Sequence, residues 1–227
     1  MNPEVKMPLM ILISVITFGI FLVIFLTVRH ERRRREALKE MAMRRGFSFL
    51  PRAEPDSIPA TKRFSLFSIG RQRRVRSLMH KDEEDVRTSI LDYHYTTGGG
   101  KSQQTHTQTV FLFESARLGL PAFSLRPETV FHKIGQVFGY QDIDFPDDPD
   151  FSKKWLLRGG EEDRIRRLFN PEVRTAFKAA ERMAVEGDGE ALLLYRPEKR
   201  VAPEKLFGTC ETYRSLCRVF IQRSAYL

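Results

Sequence analysis

The segment Pro8–Val28, PLMILISVITFGIFLVIFLTV, contains 21 residues and no charged side chain. A helix of this length extends about 31 Å at ~1.5 Å per residue, which matches the ~30 Å hydrocarbon core of a bilayer. A secretory signal peptide would have a shorter apolar core and a small-x-small cleavage site, whereas RHERRRRE follows this segment. The sequence therefore predicts an uncleaved transmembrane helix at residues 8–28, after a short tail at residues 1–7.

The charges on the two sides of this segment are unequal. Residues 29–45 carry eight basic and three acidic side chains, whereas residues 1–7 carry only Glu4 and Lys6. Basic side chains stay on the cytoplasmic side during insertion. We therefore predict a single-pass protein with its N-terminus outside and its main domain in the cytoplasm. The arginines predicted to lie at the membrane surface are Arg29, Arg32, Arg33, Arg34 and Arg35.

The composition limits the class of the remaining chain. The protein has 227 residues, 41% hydrophobic and 30% charged side chains, and 2 cysteines. These values fit one folded domain beside the anchor and exclude a disulfide scaffold or a cysteine-rich zinc module. The net charge is +9, and about half of it comes from residues 29–45. The basic character is therefore a membrane signal, and the bilayer, not nucleic acid, is the expected partner.

The order of elements predicts an α+β fold with a largely antiparallel sheet and late helices. Residues 29–46 continue the first helix as a basic juxtamembrane helix that ends at Gly46, and residues 47–227 form the cytoplasmic domain. Residues 50–60 hold three prolines and read as an irregular entry to it. Strands are predicted at residues 64–69, 75–79, 86–95, 105–114, 122–125, 152–157 and 191–195.

The second half is predicted to be mostly helical. Helices are expected at residues 129–138, 161–169, 171–185 and 203–222. The last helix is amphipathic, because its apolar side chains recur at spacings of three and four residues, and this face is expected to pack on the sheet. The apolar face consists of Leu206, Cys210, Tyr213, Cys217 and Phe220.

The glycine-rich segment between the strands at residues 86–95 and 105–114 predicts a polar hairpin tip. Gly98–Ser102 resembles a phosphate-binding loop, but Tyr95 stands where the first glycine should be, and a β segment follows instead of a helix. We therefore expect no nucleotide site and no other cofactor. The tip is the best candidate interaction loop for an unidentified protein partner. It comprises Thr97, Gly98, Gly99, Gly100, Lys101, Ser102 and Gln103.

The hairpin also carries one weak candidate for a metal site. If the tip is symmetric about residue 100, His94 faces His106 across the strands, and Asp92 lies on the same face. A slip of one residue would place the two histidines on opposite faces. The favoured interpretation is a solvated polar face with no metal. An arginine cluster at Arg71–Arg76 is a further candidate for anionic lipid headgroups.

Several short patterns in residues 64–169 resemble a known group of proteins. They are LDYHYTT-GGGKS, QTHTQTV, LPAFSLRPE, DIDF and FSKKWLLRG. The chain resembles an uncharacterised family of small bacterial membrane-anchored proteins. The resemblance implies a bacterial source, and so the inner (plasma) membrane, with no assigned activity.

The sequence thus favours a membrane-tethered binding or scaffold module without a catalytic motif. Two alternatives stay open. One is a membrane-anchored hydrolase or metal-dependent enzyme around Asp92, His94 and His106, and the other is a module that senses anionic lipids.

Overall fold

A long N-terminal helix, α1, runs without a break from Pro3 to Arg44. The structure, a computed structural model, describes the backbone of residues 3–128, 141–178 and 183–224, and side chains from Met10 onward within these ranges. Within them, one helix is long and apolar enough to cross a membrane, and its apolar part is not covered by the protein. Ile16, Phe21 and Phe25 are each more than half exposed.

Gly46 ends α1 as the sequence predicts. Its φ is +73°, and its backbone N–H bonds to the carbonyl of Met43, while the N–H of Phe47 bonds to that of Ala42. This pair of bonds is the Schellman motif, in which a left-handed glycine satisfies the last free carbonyls of a helix. The motif turns the chain directly into the first strand.

Eight strands form one antiparallel sheet in the described ranges, with the spatial order β1-β2-β3-β4-β8-β7-β5-β6. Neighbouring strands pair antiparallel throughout. The strands are β1 (Ser48–Ala53), β2 (Arg71–Glu83), β3 (Val86–Thr97), β4 (Gln104–Glu114), β5 (Leu120–Pro127), β6 (Trp155–Gly159), β7 (Ala184–Gly189) and β8 (Ala191–Tyr195).

The sheet buries both of its faces. One face packs against α3 (Glu162–Leu168), α4 (Pro171–Lys178) and α5 (Leu206–Ser224), and α2 (Pro149–Lys154) precedes β6. Three short 3-10 turns between Pro55 and Ser68 cover the other face over β2, β3 and β4. Alternate residues of β3 therefore point into two cores: Ile90 lies in the helical one, and Leu91 and Tyr93 lie in the other.

The C-terminal third of α1 belongs to the helical core. Leu38 and Ala42 are buried in the same cluster as Phe47, Met79 and Ile90. The helix that carries the apolar segment is thus packed onto the domain by its C-terminal third.

The structure confirms the α+β fold, the long hairpin and the C-terminal helix. The apolar stripe of α5 is buried, with Cys210, Cys217 and Phe220 each 1% exposed. Burial raises the pKa of both cysteine thiols to about 12, which makes them poor nucleophiles. Strands β5 and β8 also lie where the sequence predicts them.

Four local predictions were wrong. The strand expected at residues 64–69 is a 3-10 turn, because Phe64, Leu66 and Phe67 all point into one core. Residues 48–53 form an edge strand rather than an irregular entry. The strand expected at 152–157 begins only at Trp155. The helix expected at 171–185 begins at Pro171 as predicted, but its expected end is wrong, because β7 begins at Ala184. The helix expected at 129–138 lies outside the described residues.

Candidate functional site

The pairing of β3 with β4 fixes where the hairpin side chains point. Tyr95 pairs with His106, His94 pairs with Thr107, and Asp92 pairs with Thr109. The expected pairing of His94 with His106 is therefore wrong by one residue, since the tip is centred between residues 100 and 101. Because side chains alternate between faces, the two histidines lie on opposite sides of the sheet.

Asp92 is held by an arginine of the first helix. Arg34 donates two hydrogen bonds to it, from Nε to Oδ2 at 2.8 Å and from Nη2 to Oδ1 at 3.0 Å. The two side chains are only 9% and 5% exposed, so this pair is almost fully buried. Thr109 Oγ1 donates a third bond to Oδ1 at 2.8 Å. Asp92 is thus a structural carboxylate that binds α1 to the hairpin.

Two further contacts join the same region to the segment after β8. The backbone N–H of Val201 donates to Thr109 Oγ1 at 2.9 Å. Arg200 forms an ion pair with Glu31 at 2.7 Å. Burial alone would raise the pKa of Glu31, but the hydrogen bond and positive charge of Arg200 lower it overall.

His94 lies half-buried on the α1 side of the sheet. Burial, together with the nearby cation of Arg76, lowers its pKa to about 4, and the opposing effect of Asp92 is smaller. Its buried Nε2 has no hydrogen-bond partner among the described residues. No group of three or more metal-ligating side chains occurs in the part of the chain that the structure describes. Because its pKa is about 4, the His94 imidazole is neutral at neutral pH.

His106 lies on the other face in a chain of hydrogen bonds. Its Nε2 is 2.7 Å from Thr97 Oγ1, and its Nδ1 is 3.1 Å from Glu198 Oε1. The ring stacks on Tyr95, with 4.7 Å between ring centroids. A neutral imidazole that donates from Nδ1 to the carboxylate and accepts the threonine proton at Nε2 satisfies both contacts. The sequence-based expectation of a solvated face is wrong here, because His106 is 6% exposed.

Glu198 is positioned by an unusual backbone. Its φ is +61°, a left-handed value that is uncommon outside glycine, and its N–H donates to the side chain of Gln108 at 3.1 Å. Such conformations persist only where the surroundings enforce them. Neither this conformation nor the long-range partners of Asp92 leave a periodic pattern in the sequence, so sequence reasoning missed Glu198, Thr109 and Arg200.

The candidate interaction loop is exposed. Thr97 is half-buried, whereas the residues from Gly98 to Gln103 are exposed and include one 3-10 turn at Gly100–Ser102. Gly98 has a φ of +68°, and a Cβ there would lie 2.4 Å from the carbonyl oxygen of Ser102, so only glycine fits this tight turn. The tip has the accessibility that a contact surface needs.

The arginine cluster lies beside the tip. Arg71 pairs with Thr96 and Arg74 pairs with His94, so the start of β2 shares the sheet end with the hairpin tip. Arg71 and Arg74 are exposed and form no ion pair with any residue that the structure describes. Arg73 donates to the carbonyl of Phe67 at 2.6 Å. We call the surface formed by Arg71, Arg74 and the tip the basic sheet end.

Two contacts fix the direction of α1 relative to β3. Arg34 meets Asp92, and the carbonyl of Arg45 accepts from Lys81, which pairs with Thr88. The helix thus runs antiparallel to β3. From Arg34 back to Val28 the helix rises about 9 Å, whereas β3 extends about 16 Å from Asp92 to Thr97. The basic sheet end therefore reaches the level at which the apolar segment begins.

The predicted surface arginines divide into two groups. Arg29, Arg32 and Arg33 are exposed, and Arg35 is half-buried. Arg34, which the sequence groups with them, is buried in the pair with Asp92. Some basic side chains of α1 are thus exposed to solvent, whereas Arg34 packs inside the domain.

No protein-family model matches this chain, and no functionally characterised protein matches it in sequence. Its fold is similar to that of a solved mycobacterial protein, trehalose monomycolate transport factor A (TtfA), with a TM-score of 0.57 and 14% identity. The likeness covers 84% of this chain and 96% of that chain. At this identity the likeness establishes a shared fold.

Proposed function

We propose that the protein is a membrane-tethered binding module that presents the basic sheet end at the membrane surface. The observation that carries the proposal is the buried pair of Arg34 and Asp92, which fastens the sheet to the helix six residues after the apolar segment. A domain attached in this way has a defined height relative to the bilayer. A flexible linker would leave that height undefined.

The membrane in question is the bacterial inner (plasma) membrane, and the domain faces the cytoplasm. The positive side chains at residues 29–45 support this orientation. Protease added to intact spheroplasts should leave the domain whole, and lysis should expose it. Digestion from outside would contradict the orientation.

The partner is a protein that binds the candidate interaction loop next to the membrane. The fold shared with a transport factor supports a role beside a membrane transport system, in which the module contributes binding rather than chemistry. A polar and glycine-rich loop at the level of the bilayer surface is accessible to the membrane-proximal part of such a partner.

The test is photo-crosslinking in native membranes. A photoreactive amino acid replaces Lys101 in the tip or, as a matched control, Asp163, which is exposed on α3. We expect a distinct crosslinked protein from position 101 that position 163 does not give. Identical products from the two positions would contradict the loop as the contact surface.

A second candidate function, an ester hydrolase at the membrane surface, rests on Thr97, His106 and Glu198. Their spacing, 2.7 Å and 3.1 Å, is that of a hydroxyl nucleophile, its base and the carboxylate that orients the base. Thr97 Oγ1 would attack an ester carbonyl while His106 accepts its proton and returns it to the leaving alcohol. Water, activated by the same imidazole, would then hydrolyse the acyl-threonine, which releases the acid and restores the hydroxyl. Asp92 and His94, which the sequence grouped with His106, lie on the other face and take no part.

A fluorophosphonate probe tests this second candidate. The wild-type protein should become labelled, whereas Thr97→Val and His106→Gln should not, and thermal unfolding of both variants checks that they are folded. An unlabelled wild-type protein would show that the three groups only tie the segment after β8 to the hairpin.

A further inference from the structure

The start of β2 is shaped so that its arginines point away from the protein. The pairing with β3 shifts between Arg71 and Arg74, and Gln72 within this bulge has a φ of +52°. Bulges change the direction of side chains at strand ends. The turn before it requires Gly70, because a Cβ there would lie 2.5 Å from the carbonyl oxygen of Thr96.

The bulge leaves two cations without a protein partner. Several other arginines of the domain are paired with a carboxylate: Arg87 with Asp82, Arg117 with Asp85, and Arg166 with Glu162. Arg71 and Arg74 are exposed, and no carboxylate within the described ranges pairs with them. Arginine binds phosphate oxygens through a planar fork of N–H donors.

The position of these cations selects the source of phosphate. Arg74 pairs with His94, two residues beyond Asp92 towards the tip, and Arg71 pairs with Thr96. They therefore lie about 7 Å and about 13 Å beyond Asp92 along the strand, and the apolar segment of α1 begins about 9 Å from Arg34. If α1 crosses a bilayer, the two arginines therefore lie at the depth of the lipid headgroups.

We infer that Arg71 and Arg74 bind the phosphate groups of anionic lipids in the leaflet next to the domain. The inference rests on the proposed anchoring of α1. The exposed Arg29, Arg32 and Arg33 reach the same layer from the helix, so the leaflet meets basic groups on both the helix and the sheet. Each basic residue near an anionic leaflet strengthens the interaction about fivefold.

The test is the rate at which an arginine reagent, p-hydroxyphenylglyoxal, modifies the full-length protein in lipid nanodiscs. Peptide mass spectrometry resolves the individual sites. Nanodiscs of phosphatidylcholine alone are compared with nanodiscs that also contain phosphatidylglycerol. Arg167 and Arg218, exposed and without an ion pair among the described residues, are the internal controls.

We expect phosphatidylglycerol to slow the modification of Arg71 and Arg74 about fivefold and to leave Arg167 and Arg218 unchanged. Inorganic phosphate added to phosphatidylcholine nanodiscs should give no such protection, since the site is built for a membrane surface. Equal protection by free phosphate would overturn the assignment to lipid.

The protection of Arg32 distinguishes a failure of this inference from a failure of the proposed anchoring of α1. If Arg32 is protected by phosphatidylglycerol while Arg71 and Arg74 are not, the anchor holds and the inference is overturned. If none of the three is protected, the proposed position of the domain at the membrane is overturned as well.

Discussion

Arg34 and Asp92, which lie 58 residues apart in the sequence, form a bidentate ion pair buried between α1 and the hairpin. The pair converts the juxtamembrane segment from a tether into a part of the domain. Since α1 is continuous, the orientation of the sheet follows that of the apolar segment. On the proposed anchoring of α1, this pair, together with the packing of Leu38 and Ala42, sets the position of the hairpin tip relative to the membrane.

Removing one partner of this pair should be strongly destabilising. Asp92→Ala leaves the guanidinium of Arg34 buried without a counter-charge, which costs about 3–5 kcal/mol. Glu31→Ala is the matched control, because the Glu31–Arg200 pair is 30% and 22% exposed and its loss should cost about 1 kcal/mol or less. Urea unfolding of the full-length protein in detergent measures both. Equal losses of unfolding free energy in the two variants would contradict the claim that the Arg34–Asp92 pair is the more deeply buried and more important one.

Replacing both partners should restore much of the stability. The double variant Arg34→Met/Asp92→Leu removes both buried charges and fills the space with apolar groups. It should be at least about 2 kcal/mol more stable than Asp92→Ala alone. A double variant as unstable as the single one would show that the pair does not act as a unit.

The limits of the folding unit give a third prediction. A fragment of residues 30–227 should unfold cooperatively, whereas a fragment of residues 47–227 lacks Leu38, Ala42 and the partner of Asp92. These losses together are worth about 5 kcal/mol or more, which is comparable to the whole stability of many domains. We therefore propose that the folding unit begins upstream of the domain start expected at Phe47. Equal melting temperatures of the two fragments would contradict this view.

Shortening the tip should leave the fold intact. Thr97 pairs with Gln104, so replacing residues 98–103 by Asn-Gly preserves the register and the contact of Thr97 with His106. The residues removed are exposed, and loop closure changes by only about 1 kcal/mol. The melting temperature of the shortened protein should therefore stay within a few degrees of the wild-type value, as measured by thermal unfolding. A large drop in melting temperature would show that the tip packs on the domain.

The stability should fall on mild acidification because of His94. Its pKa is about 4 in the folded protein against an ordinary value of 6.5, so the unfolded chain binds more protons between these values. Stability is therefore unaffected above pH 6.5 and falls progressively as the pH drops to about 4. The loss from His94 should be on the order of 3 kcal/mol, and His94→Gln should lack it. Superimposable pH profiles of the two proteins would exclude this cause.

The sequence predicts features that depend on local patterns. The uncharged segment 8–28, Gly46 as the end of α1, the β-rich runs around a glycine-rich tip and the apolar stripe of α5 all carry a periodic or positional signal. These signals are sufficient for the fold class. They also identify the tip and the arginines at residues 71–76 as candidate surfaces.

The remaining features depend on contacts distant in sequence. One residue of hairpin register decides whether His94 meets His106, and nothing in GGGKSQ specifies that register. Arg34 cannot be told from Arg33 or Arg35 in a basic run until Asp92 is placed beside the helix. The turns at residues 55–68 look extended in sequence because the same apolar side chains fill a core in either conformation.

The most direct test of the central claim measures the depth of the hairpin tip. A nitroxide spin label on Ser102→Cys reports its distance from the bilayer surface in nanodiscs, and Cys210 and Cys217 remain unlabelled because their pKa values are raised to about 12 by burial. We predict that a lipid-attached nickel chelate relaxes the tip label strongly and a label at Asp163→Cys weakly. Weak relaxation of the tip label, equal to that of a water-exposed site, would contradict the account.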